Sequence, residues 1–230
     1  MYSSYTYNIY LKKYFCKFMK ECDRFLLFLQ SFVYSHSNMY YLSSRQIIII
    51  MTNYKNATYN RLSPNDIQQA YPDTCAIKAQ QIILESKGIS VSENDLIQEA
   101  IENDWYHPGN GTKVCDVGNL LENHGLEVSK YNNGSIQDIA DCLSSGKQII
   151  IGVDSGELWN PNIQEEIEDF AFGGFADHAV IVDGVSINSL TGEQEISITD
   201  PGNGDLSCNY ASDVFLDAWN DSDNFMVVID

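Results

Sequence analysis

Gln69-Ala70-Tyr71-Pro72-Asp73-Thr74-Cys75 is the stretch whose reading decides the fold, together with Asp177-His178-Ala179-Val180 and Thr199-Asp200-Pro201 downstream. The side-chain types occur in the order amide donor, thiol, imidazole, carboxylate. A thiol attacks a carbonyl well only as thiolate, and the start of a helix favours that anion through its free N–H groups and dipole. Thr74 reads as the N-cap of a helix over residues 75 to 87, which puts Cys75 in its first turn. Ala76, Ala79, Ile82 and Ile83 share one face of that helix, and Gly88 stops it. Gln69 is the expected oxyanion donor and Cys75 the nucleophile. His178, which starts the most apolar strand, is the expected base, with Asp200 orienting it.

Around these residues the hydrophobic period changes once. Ser92 and Ser135 open helices by capping-box spacing, and residues 114 to 124 read as one helix closed by Gly125. After Lys147, residues 148–153, 179–185, 195–199 and 225–229 read as strands, with a short helix over 211–219 before the last. The expectation is an α+β fold, a helical N-terminal half whose nucleophile helix packs on an antiparallel sheet.

The first fifty residues stand apart. They hold six Lys/Arg against Glu21 and Asp23, whereas the rest hold seven against thirty acids, within an overall charge of −19. Eight of the fourteen tyrosines also fall there, and no helical or strand period persists, so 1–50 reads as a leader outside the domain, either disordered or a mistaken upstream start. Residues 51–64 read as a linker and 65–230 as the domain. The leader lacks a signal-peptide layout and the roughly 18 consecutive apolar residues of a membrane span, so no stable membrane insertion is expected.

Acidity of this degree repels nucleic acid and anionic lipid, so neither is an expected partner; the peptide or protein substrate expected here follows from the thiol, imidazole and carboxylate read above. Cys75, Cys115, Cys142 and Cys208 lack the regular spacing of a disulfide framework, which fits a reducing cytoplasm; a leader-directed secreted or membrane-associated form is the alternative. Cys115 and Cys142 read as buried small hydrophobes. No metal-ligand spacing and no phosphate or dinucleotide fingerprint occurs, so neither a metal nor a cofactor is expected, and Asp200-Pro-Gly-Asn-Gly-Asp205 reads as a turn. His124 reads as a helix C-terminal cation. Residues 155–176 form a long connection into His178, whose Trp159, Phe170, Phe172 and Phe175 are expected to cover an apolar subsite beside the acids Glu165, Glu166, Glu168 and Asp169.

On Gln69-x5-Cys75, Asp177-His178-Ala-Val and Thr199-Asp200-Pro201, the chain resembles the bacteriocin-processing (double-glycine leader) peptidase family, papain-like cysteine peptidases, and in particular its stand-alone relatives. The resemblance spans about residues 65 to 230. It departs at Thr74 and Ala76, where the family has Asp before the nucleophile and Gly after it. It implies a papain-like fold and peptide-bond hydrolysis through Cys75, His178, Asp200 and Gln69. Acyl transfer or amide hydrolysis by the same residues, or a catalytically inactive peptide-binding module, are the alternatives.

Overall fold

Helix α2, Cys75–Ser86, is buried on nearly every side, with the polar Lys78, Gln80 and Gln81 inside as well as Ile77, Ala79, Ile82, Ile83 and Leu84. Such a helix must be covered all round. The computed structural model, which describes residues 54–55, 63–159 and 176–230, surrounds it with α3 (Glu93–Glu102), α4 (Asn119–Asn123) and the face of a sheet. A short α1 (Pro64–Ile67) precedes it. The leader 1–50 and the part of the long connection carrying Phe170, Phe172, Phe175 and the four acids lie outside the described residues.

Among the described residues the main sheet runs β4 (Val128–Tyr131), β9 (Met226–Ile229), β5 (Gln148–Val153), β6 (His178–Ile187), β7 (Gln194–Asp200), β8 (Asp205–Ala211), every pair antiparallel. Strand β1, Tyr54–Lys55, comes from the stretch read as linker and pairs with Gly184 and Val185 of β6. A separate two-stranded hairpin, β2 (Tyr106–His107) and β3 (Gly111–Thr112), precedes it.

Strand side chains alternate between faces, and here both faces are dry. Ile150, Ala179, Ile181 and Val227 pack toward α2, while Ile149, Ile151, Val180, Val182 and Val228 pack with Ile139 and Leu143 of α5 (Ile136–Ser144) and Phe215 and Trp219 of α7 (Ser212–Asn220). That is why β5 and β6 read as unbroken apolar runs. Helix α2, which starts at Cys75, thus lies against an antiparallel sheet, as expected for the α+β class.

Three local expectations are corrected. Residues 114 to 124 are not one helix: a 3-10 turn at Val114–Asp116 ends, and α4 begins only after Gly118, whose φ of +99° is left-handed. A β-carbon on Gly118 would come within 2.9 Å of Val227 Cγ1, so close packing on β9 sets the break. Cys115 is exposed, not buried, because it falls on that turn. Thr74 makes no capping bond to its own helix. Ser135 and Asp138, by contrast, form a complete capping box, and Ser92 caps α3 through the N–H of Asp95. His124 bonds Glu99 at 2.9 Å, a partner on α3 that the capping reading did not include. No helix among the described residues is long and apolar enough to cross a membrane.

Candidate active site

Because the first residues of a helix have N–H groups without intrahelical partners, the start of α2 presents donors around Cys75. The half-buried Cys75 lines a cavity of about 410 Å³ whose walls include Asp73, Gly109, Gly111, Asp177 and His178. The loop leading into it is strapped from α3. Glu93, nearly buried, accepts from the Ala70 N–H (3.1 and 3.2 Å to its two oxygens) and from Thr74 Oγ1 (2.7 Å), and lies 3.9 Å from Lys78 Nζ. Thr74, expected to cap the helix, instead serves this strap. Asp73 accepts from the Gly109 N–H at 2.5 Å and from the Tyr106 hydroxyl, tying the β2–β3 hairpin to the same loop. Burial first, then Asp73, pushes the Tyr106 hydroxyl up to about 12.

His178 begins β6 opposite Val153, and its ring is buried. Nε2 meets Asp200 Oδ1 at 2.6 Å, which leaves Nδ1 for a second partner, and the Cys75 thiol is near enough to raise the affinity of the ring for a proton. Burial by itself lowers the affinity of the ring for a proton. The Asp200 carboxylate and the Cys75 sulfur outweigh it and hold the imidazole well above its usual value. Asp200, fully buried at the end of β7, is desolvated, yet His178 and two further donors, Trp159 Nε1 (2.9 Å) and the Gly202 N–H (2.8 Å), keep its carboxyl below the ordinary range.

Trp159 therefore has a role the sequence did not reveal. It closes a one-turn helix, α6 (Ser155–Trp159), inside the stretch expected to be a loop, and its ring stands 5.1 Å from that of His178 at 60°. Glu93 was equally hidden: a Glu at a helix start reads as an ordinary first-turn acid.

The structure brings Cys75, His178 and Asp200 together. Gln69 is adjacent but differently engaged: its N–H donates to Pro201 O at 2.8 Å and its Nε2 to Tyr71 O at 2.7 Å, and it shares with His178, Trp159 and Tyr71 a second hollow of about 390 Å³. The Asp200-to-Asp205 segment is a turn, and no cluster of metal ligands occurs among the described residues.

No family model matches the chain, and no curated protein does. Solved structures do. The peptidase domain of Streptococcus ComA, a bi-functional ABC transporter involved in quorum sensing, aligns over 71% of this chain and 95% of its own, with a TM-score of 0.50 at 14% identity. A putative C39-like peptidase from Bacillus anthracis aligns over 77% and 97%, with a TM-score of 0.55 at 14% identity. At that identity the likeness speaks for the fold alone, and it matches the helix-on-antiparallel-sheet arrangement described above: the chain has a papain-like fold, as these two structures do.

Proposed function

We propose that this protein is a cysteine peptidase. The observation that carries the reading is the His178 ring held between Asp200 at 2.6 Å and the Cys75 thiol, at the start of a buried helix and on the wall of an open cavity. Cys75 Sγ, as thiolate beside the imidazolium, bonds to the carbonyl carbon of a peptide; the oxyanion so formed is met by the Cys75 backbone N–H and by Gln69 Nε2, released from Tyr71 O. As the C–N bond breaks, His178 Nδ1 gives its proton to the leaving amine. Water then attacks the thioester, His178 takes one of its protons, and the C–S bond breaks to return the thiolate and a carboxylic acid product. Asp200 keeps Nε2 occupied throughout, which aims Nδ1 at the sulfur.

A peptide carrying an electrophile at its C-terminus tests this directly. Wild-type protein should be labelled at Cys75 and digest a peptide library, and Cys75→Ala should do neither. His178→Ala should lose labelling by at least about a hundredfold, in line with general-base contributions. Labelling that is indifferent to His178, with no peptide cleaved, would sink the proposal.

A further inference from the structure

The His178 ring separates two hollows. One is lined by Cys75, the other by His178 without Cys75. In the proposed reaction, on which this inference rests, the acyl half of the peptide becomes bonded to Cys75 Sγ, and the other half departs with a proton from His178. The acyl half therefore belongs in the hollow that Cys75 lines. The departing half belongs in the second hollow, between Gln69, Tyr71, Trp159 and Asp177.

The walls of that second hollow are chemically specific. Tyr71 is 48% exposed and Trp159 40%, and both residues line the same space; the Tyr71 hydroxyl donates to Asn94 Oδ1 at 3.2 Å, which fixes its ring. The exposed Asp177 sits at the same rim. Its two oxygens accept from the Ser155 N–H and Oγ at 2.9 and 3.0 Å, which holds the carboxylate in place and leaves lone pairs for a further donor. No lysine or arginine lines either hollow among the described residues. Aromatic faces alone would accept any flat or apolar group; a fixed carboxylate without a neighbouring cation selects a positive one. A guanidinium answers both features, since it stacks on aromatic faces and pairs with a carboxylate through two parallel N–H groups.

We propose that this hollow binds the first residue after the scissile bond and selects arginine there. Cys75→Ala protein, which binds without turnover, is titrated with three peptide amides, Arg-Ala-Ala-Gly, Gln-Ala-Ala-Gly and Glu-Ala-Ala-Gly, while the indole N–H resonance of Trp159 is followed by NMR. The arginine peptide should bind about tenfold tighter than the glutamine peptide, and the glutamate peptide weakest, with the Trp159 signal shifting. Asp177→Asn, which keeps the acceptor for the Ser155 N–H, and Tyr71→Ala should each remove most of that preference.

Equal binding of the three peptides, or an arginine preference untouched by both variants, would overturn the inference. Wild-type cleavage of substrates matched at the same position separates it from the reading beneath. Cleavage without an arginine preference would sink the arginine site and keep the peptidase. Preferential binding with no peptide cleaved would sink the peptidase and keep a cation site.

Discussion

A β-carbon on Gly202 would come within 2.9 Å of His178 Cε1 and 3.1 Å of the Trp159 ring. The turn after Asp200 thus approaches the imidazole as closely as backbone can, and its N–H reaches Asp200 Oδ1 only from there. Gly202→Ala must push the ring or the indole aside. Since small misplacements of a reacting group can cost about a hundredfold, kcat should fall by ~10- to 100-fold with KM little changed. Steady-state kinetics, alongside an unchanged thermal midpoint, check this; an unaffected kcat would show that the ring tolerates displacement.

The proton affinity of His178 depends on Asp200. Burial opposes the charged ring and the carboxylate favours it, so Asp200→Asn removes the largest single favourable contribution, the hydrogen bond to the carboxylate. The alkaline limb of kcat/KM, which falls as the imidazolium is lost, should move to lower pH in Asp200→Asn. The same linkage acts on stability. A folded-state value raised from 6.5 to about 10 gives His178 a stabilising contribution that is complete below pH 6.5 and disappears as pH rises through the folded value. Asp200, whose value is lowered, contributes above its unfolded value and loses that contribution as pH falls. Urea titrations across pH, compared with Asp200→Asn, should show both slopes diminished in the variant.

Trp159 is tested by subtraction of one hydrogen bond. Trp159→Phe keeps an aromatic ring near His178 but leaves Asp200 Oδ2 without the indole donor seen at 2.9 Å. Bonds to charged groups are worth about 1.5–3 kcal/mol, so kcat/KM should drop by roughly 10-fold or more, chiefly through kcat. A loss confined to KM would assign the ring to substrate contact alone.

Glu93→Gln weakens the strap on the loop ahead of Cys75. Its one amide oxygen can still accept from the Ala70 N–H and Thr74 Oγ1, which both reach Oε1, but the second contact of the Ala70 N–H and the negative charge 3.9 Å from the buried Lys78 Nζ are lost. The expected cost is about 1–3 kcal/mol of stability, with slower acylation by peptide. Glu93→Asp, which keeps both oxygens but shortens the reach, should recover part of the stability. Calorimetry on the two variants, and acylation rates at a temperature where both are folded, give the comparison.

Much of the frame was readable because it depends on local period. The helix from Cys75, the capping box at Ser135 and the apolar runs of β5, β6 and β9 follow from near-neighbour chemistry. Strand β8 was missed because it lies at the sheet edge, where its polar residues Asp205, Ser207 and Asn209 gain pairing only from β7. The split at Gly118 depends on Val227, far along the chain, and no window around residue 118 contains that contact. The site divides in the same way. The chemical types of Cys75, His178 and Asp200 marked them, whereas Glu93 and Trp159 matter through what they touch.

The backbone bond from the Gln69 N–H to Pro201 O joins the segment ahead of the nucleophile to the turn behind Asp200. These segments lie at opposite ends of the domain's sequence, so closing the contact carries the entropy of a very long loop and must wait for β6 and β7 to pair. Helices α2 and α3, whose contacts are short in range, can form well before that. During refolding, helical signal should therefore return ahead of any reactivity toward peptide. A partly folded chain would hold its thiol with no oriented base beside it, so the proposed cleavage of peptides would begin only once the sheet has closed.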